Sequence, residues 1–354
     1  ADSDAPGLIY ELGLASRSCV CCRLSPKQKR QLVELVRKMS PSTITMAVGD
    51  GANDVPMIEG AHLGIGIRGK EGAEAVNISD IAISQFRFLV PLLLCHGRRS
   101  YRRVAIFLCW YLYKNLTLVI GDLIWAHQHR FSGDIAFPEY LSMGFNVFFT
   151  SWHIIFVLGF DTAVPDHVAN AHPELYHEGP ERALFNRKVF SYWMCFGLWH
   201  GSISWIIPNF IFGSTDNSIG SPFWLSSCSS FTILVIVVNI RLLLSCYSPL
   251  ALTSLGSSGL ALAVFFLYLF LLGETSPGHA LQEEIAGVPL EMFGKGEVLG
   301  CLIVMPFVAL SLDIIEHFGR RWLWPSPMDM VRRQRSAQEK GTMASKAASG
   351  EVLP

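Results

Sequence analysis

The spacing of apolar residues changes near residue 95. Before that point the runs are short. Thr43 to Val48, Leu63 to Ile67 and Ile81 to Ile83 are clusters of β-branched and small apolar residues, the pattern of short buried strands in a parallel sheet. Leu32, Val36 and Met39 fall on one face of a helical period, with Lys and Arg opposite. Ahead of them, Ser25-Pro26 offers a capping hydroxyl and a proline at the first helical position. Residues 1–95 therefore read as an α/β piece with a soluble character.

After Val104 the apolar runs lengthen to about the 20 residues that cross a bilayer. Six of them, roughly 104–126, 138–160, 189–212, 222–245, 252–273 and 297–318, predict an all-α membrane domain over 96–318. An even count returns the chain to its starting side, and basic residues identify that side. Arg98, Arg99, Arg102 and Arg103 precede the first run; Arg182, Arg187 and Lys188 lie between the second and third. Arg320, Arg321, Arg332, Arg333 and Arg335 follow the sixth, whereas the opposite loops carry only Arg130 and Lys295. The expectation is a multi-pass membrane protein with both ends in the cytosol. Residues 319–354 read as a polar, disordered cytosolic tail.

Composition agrees with a membrane chain. Of 354 residues, 51% are hydrophobic and 16% charged, against about 25% charged in soluble domains. A net charge of −1 gives no bulk attraction to nucleic acid. The start, Ala1-Asp2-Ser3-Asp4, lacks the basic-then-apolar form of a signal peptide and reads as the middle of a domain. Cys19, Cys21 and Cys22 have no partners at zinc spacing and read as reduced thiols. Cys109, Cys195, Cys228 and Cys301 sit in apolar runs as packing residues, and Trp125, Trp224, Trp322 and Trp324 sit near run ends as an interfacial belt.

The candidate chemistry of the first third lies in Val48-Gly49-Asp50-Gly51-Ala52-Asn53-Asp54-Val55-Pro56-Met57-Ile58. Two carboxylates four residues apart, among glycines and after an apolar strand, suit Mg²⁺ and phosphate. Mg²⁺ takes one or two carboxylates together with phosphate and water, and glycine lets backbone approach a phosphate closely. Asp50 is the leading ligand candidate.

This run resembles the hinge motif of P-type ATPases. Cys21-Cys22-Arg23-Leu24-Ser25-Pro26-Lys27-Gln28-Lys29 resembles the segment that precedes that motif in the phospholipid-flippase class. So do Ala82 to Leu89, His96-Gly97-Arg98, Tyr113-Lys114-Asn115, Pro173 to Tyr176 and Phe185 to Phe190. The chain is thus similar to the carboxyl-terminal part of a type IV, phospholipid-transporting P-type ATPase. The resemblance implies that residues 1–95 are the carboxyl-terminal part of an incomplete, haloacid-dehalogenase-like phosphorylation domain. It implies Mg²⁺ and ATP as cofactors, with Asp50 and Asp54 near the metal and Arg23, Lys29, Asn53 and Asp54 near nucleotide or phosphate. It also implies a phospholipid substrate, a two-pass accessory β subunit, and residence in the plasma membrane or the Golgi and endosomes. The family's phosphorylated aspartate lies in Asp-Lys-Thr-Gly-Thr, a string this sequence lacks. The chain alone is expected to be inactive.

Lys114 lies about 10 residues into the first long run, ~15 Å deep at 1.5 Å per residue. A charge near mid-bilayer is costly, which makes it a functional candidate by default. Asp122, about two turns on, is too far for an easy ion pair. The flippase resemblance puts Lys114 on the lipid-headgroup path, with Asn115 and Asn146 as polar groups that could line it. Flippases usually continue past Phe149-Thr150-Ser151 with Leu and one or two prolines; this chain has Trp152-His153-Ile154-Ile155. No proline break is expected there, and His153, like His200, reads as an interhelical bonding partner. Two other classes compete with lipid transport: a P-type cation pump, and a catalytically incomplete membrane module. A cation site needs convergent oxygens, and the second run holds no Asp or Glu between Tyr140 and Phe160.

Overall fold

The computed structural model describes residues 5–69, 73–213, 218–323 and 325–337. The chain divides into two compact units, Ala1–Cys95 and His96–Pro354.

In the first unit, helices α1 (Ala5–Ala15) and α2 (Pro26–Met39) precede strand β1 (Met46–Gly49). Helix α3 (Val55–Gly60) leads to β2 (Leu63–Ile67), and α4 (Glu74–Ile78) leads to β3 (Ile81–Ile83). The strands form one parallel sheet in the order β1-β2-β3, with Val48 beside Ile65 and Ile65 beside Ile81. Ser25 caps α2 in a reciprocal capping box with Gln28, as the Ser-Pro start predicts. Leu32 and Val36 are half-buried on the predicted face, but Met39, in the last turn, is exposed. The small core is Ala47, Ile58 and Ala75, with Ile65 fully covered in the middle strand. Gly66 is required in β2, since a Cβ there would lie 2.6 Å from Ser79 Oγ and 2.8 Å from the Ala75 carbonyl.

The second unit is helical: α5 (Arg98–Gln128), α6 (Glu139–Gly144), α7 (Ser151–Phe160), α8 (Arg187–Phe212), α9 (Pro222–Leu244), α10 (Leu252–Glu274) and α11 (Gly296–Leu323), joined by short helices. Among the described residues, five helical runs are long and apolar enough to cross a membrane: Phe86–Gln128, Glu139–Phe160, Pro222–Leu244, Leu252–Glu274 and Gly296–Arg320. The expected third span, 189–212, is the continuous helix α8 but falls outside this group. Trp, His, Ser and Asn lower its hydropathy. Its polar groups meet other helices instead of lipid: Tyr113 Oη lies 2.6 Å from His200 Nδ1, and Ser226 Oγ donates to Asn209 at 2.7 Å.

Helix α9 is the axis of this unit, buried almost continuously from Phe223 to Val238. Around it α5, α8 and α11 pack on one side and α10 on another. One end of the bundle is aromatic: Trp125 stacks on Phe223 with centroids 4.3 Å apart, and Phe137 meets Trp205 edge-on at 5.0 Å. The opposite end is polar. Arg102 donates to Asp161 at 3.0 Å and to the Ser245 carbonyl at 3.1 Å, joining the start of α5 to the ends of α7 and α9. Asp161 in turn accepts the backbone N–H of Tyr247.

Four expectations need correction. Trp125 and Trp224 are buried in the bundle, not set in an outward belt, because their rings fill its aromatic end; Trp322 is exposed, and Trp324 lies outside the described residues. Cys195 is exposed, while Cys109, Cys228 and Cys301 are buried. The second span is broken despite its lack of proline. Residues Phe145–Phe149 form a π-helical turn, and Thr150 leaves helical geometry at φ −129°, ψ −21°. Finally, α11 continues to Leu323 and residues 327–337 of the expected disordered tail are helical. Met328 and Val331 of that helix are buried, and Arg332 donates to the Tyr247 carbonyl at 2.9 Å, which supplies the packing a disordered tail would lack. Residues 338–354 lie outside the described residues.

Candidate functional site

The acidic loop leaves β1 at its carboxyl end, where open α/β sheets present ligand-binding loops. Ala52–Asp54 form one 3₁₀ turn that leads directly into α3. Asp54 Oδ1 accepts a charged hydrogen bond from Lys29 Nζ of α2 at 2.7 Å, and Asp54 Oδ2 receives the Asp50 N–H at 3.4 Å. Gly49 permits this fold-back, because a Cβ there would lie 2.3 Å from Asp54 Cβ. The structure thus brings Lys29, Asp50 and Asp54 together. Asp54 is committed to Lys29 and its side chain is only 15% exposed. Asp50 is exposed, and its carboxylate makes no hydrogen bond among the described residues. Asn53 and Arg23 are also exposed, with Arg23 in the left-handed region at φ 55°.

These residues fit a shared Mg²⁺ site and not an all-protein cage. One open carboxylate beside glycine backbone suits an ion that completes its shell with phosphate and water. No group of three or more His, Cys, Asp or Glu able to hold a metal occurs among the described residues.

In the second unit Lys114 is 2% exposed. Its Nζ donates to Thr150 Oγ1 at 2.7 Å and lies 4.9 Å from the Trp110 ring centroid and 5.7 Å from that of Phe145. Thr150 Oγ1 donates its own hydrogen bond to the Phe145 carbonyl at 2.7 Å. The lysine therefore sits against the broken segment of the second span, held by a hydroxyl and ring faces and not by a carboxylate. Asn115 and Asn146 do not join it. Asn115 bonds back to the Tyr111 carbonyl at 3.0 Å, and Asn146 is exposed.

Sequence reasoning missed Thr150, for which a lone hydroxyl in an apolar run gives no signal. It also missed a buried charge network: Asp313 of α11 pairs with Arg241 of α9 and lies 2.8 Å from His200 Nε2. Arg241, the one charge in its apolar run, and Asp313, set deep in another, were the available clue. His200 has the interhelical role expected of it.

Residues 76–326 match the family model described as "Phospholipid-translocating P-type ATPase C-terminal", which is more than half of the chain. The chain is 36% identical over 337 residues to human phospholipid-transporting ATPase ID, covering 93% of this chain and 28% of that protein. It is 32% identical over 323 residues to phospholipid-transporting ATPase DRS2 of Saccharomyces cerevisiae, covering 89% and 24%. To the probable phospholipid-transporting ATPase IM of human it is 31% identical over 346 residues, covering 96% and 29%. The chain therefore spans less than a third of the length of these relatives. By that match and by these relatives, the chain belongs to the phospholipid-translocating P-type ATPase family.

Proposed function

We propose that this chain serves ATP-driven phospholipid translocation as the carboxyl-terminal part of a pump. The observation that carries the reading is Lys114, a cation buried in an apolar helix whose partner is the Thr150 hydroxyl. A cation pump needs convergent carboxylates here. Among the described residues the buried acids of the bundle, Asp161 and Asp313, are instead paired with Arg102 and Arg241. A lysine on a hydroxyl can exchange that bond for an anionic headgroup oxygen at little cost, since a bond between opposite charges replaces one between a charge and a neutral hydroxyl.

The first unit would be the carboxyl-terminal part of a haloacid-dehalogenase-like phosphorylation domain. Asp50 would contribute the open carboxylate to Mg²⁺, Asp54 and Lys29 would hold the loop, and Asn53 and Arg23 would face nucleotide or phosphate. When bound, Mg²⁺ would neutralise charge on the phosphoryl oxygens. Six crossings, with both ends cytosolic, are supported by the polar bundle end. The start of α5 and the ends of α7 and α9 meet there, and Tyr192, near the start of α8, donates to Glu316, near the end of α11. Such a count makes α8 a span. A two-pass accessory subunit belongs to the same proposal, and so does residence in the plasma membrane or the Golgi and endosomes.

The test is Lys114→Ala in the full-length pump. Phosphorylation from ATP should survive while stimulation of turnover by phospholipid is lost. Retained lipid stimulation, or stimulation by metal ions alone, overturns the reading. Asp50→Ala should abolish Mg²⁺-dependent phosphorylation, and a normal phosphoenzyme level would remove Asp50 from that role.

A further inference from the structure

At the break Phe145–Thr150 the helix leaves α geometry in an apolar interior, and side chains donate to its carbonyls there. Thr150 Oγ1 serves the Phe145 carbonyl, and Ser151 Oγ serves that of Asn146. The Phe149 carbonyl is served from another helix. Asn239 of α9 donates Nδ2 to it at 3.1 Å and to the Val235 carbonyl at 2.9 Å. Two carbonyls use both amide protons, so the amide oxygen must face the other way. It faces His153 Nδ1 at 3.1 Å. An amide oxygen can only accept, so Nδ1 carries a proton. The far nitrogen, Nε2, lies 2.9 Å from Ser258 Oγ of α10. His153 and Asn239 are fully buried, and Ser258 is 8% exposed.

We infer that His153 is a positioning residue for lipid handling: through Asn239 it holds the broken turn that presents Thr150 to Lys114. The chain runs His153 to Asn239 to the Phe149 carbonyl, and the next residue, Thr150, carries the hydroxyl that Lys114 contacts. It links three helices, with α10 anchoring the imidazole. Here a side-chain network maintains a break that a proline would otherwise impose. The inference rests on the proposal that Lys114 handles lipid headgroups.

The test uses the full-length pump in detergent, titrated separately with phosphatidylserine and phosphatidylcholine, following ATPase stimulation by the better activator. His153→Phe keeps the ring volume and removes both nitrogens. The lipid concentration for half-maximal stimulation should rise about tenfold, the scale of losing one buried hydrogen bond. Phosphorylation from ATP without lipid should be unchanged. His153→Asn places an N–H near the Nδ1 position and should restore most of the affinity, whereas His153→Gln places its donor near Nε2 and should not. If His153→Phe does not accumulate in membranes, the Asn and Gln variants decide. Equal half-maximal concentrations for those two, or an unshifted value for the Phe variant, overturn the inference. Loss of lipid stimulation in Lys114→Ala beside an unshifted His153→Phe refutes the His153 role alone. Full lipid stimulation in Lys114→Ala refutes the lysine reading, and this inference with it.

Discussion

Lys29 and Asp54 form an ion pair that supplies little stability. Their side chains are 31% and 15% exposed, so water and salt screen them, and partly exposed pairs contribute about 1 kcal/mol or less. Lys29→Met should therefore lower the melting free energy by under about 1 kcal/mol yet markedly reduce phosphoenzyme formation. A large thermal shift without loss of phosphorylation would make the pair merely structural. Gly49→Ala should do both, because its Cβ would meet Asp54 Cβ at 2.3 Å. Overpacking of this kind costs about 1–3 kcal/mol, readable as a fall in thermal midpoint together with lost phosphorylation. At this scale the sequence was informative where several unusual residues crowd together. Asp50, Asp54 and Lys114 announce themselves, whereas Thr150 acquires meaning only from what lies beside it. Asn115 and Asn146 stand apart from Lys114, Asn115 bonding back to the Tyr111 carbonyl and Asn146 being exposed, and a residue's type does not say which face of a helix it occupies.

The second span carries the most information among the elements. Its apolar composition is visible in the sequence, but its break is not, since nothing in Phe145 to Ser151 resembles a helix breaker. The turn depends on hydroxyls and on Asn239 from another helix, a long-range cause that no local pattern encodes. Thr150→Val, nearly isosteric, removes the bond to the Phe145 carbonyl and the acceptor for Lys114. Expression and ATP-dependent phosphorylation should be close to normal, while half-maximal activation by lipid moves to concentrations roughly tenfold higher. Unchanged activation would separate Lys114 from the broken turn. Strands β1 to β3 illustrate the opposite case: short β-branched runs between helical segments were readable, and the parallel order follows from the helical crossovers between them.

For the whole bundle, Arg241 and Asp313 tie α9 to α11 in its interior. Removing one partner strands a buried charge, at a cost of about 3–5 kcal/mol, whereas replacing both with apolar residues is far milder. Arg241→Met and Asp313→Leu should each lower the thermal midpoint of the detergent-solubilised protein strongly, and the double variant should recover much of the loss. Additive losses would show that the pair is not the unit. Helix α8 has a different consequence, for biosynthesis. Its polar groups find interhelical partners on α5, α9 and α11, so the segment alone offers the translocon a poor candidate for insertion. An N-glycosylation acceptor engineered just after Phe212 should stay unmodified in a nascent chain that stops there and become modified once α9 to α11 have been made. Equal modification of both chains would mean that α8 enters the bilayer unaided. This polypeptide would thus complete its topology only after the later helices arrive, and a lesion far downstream, at Asp313, could leave an earlier segment on the wrong side of the membrane.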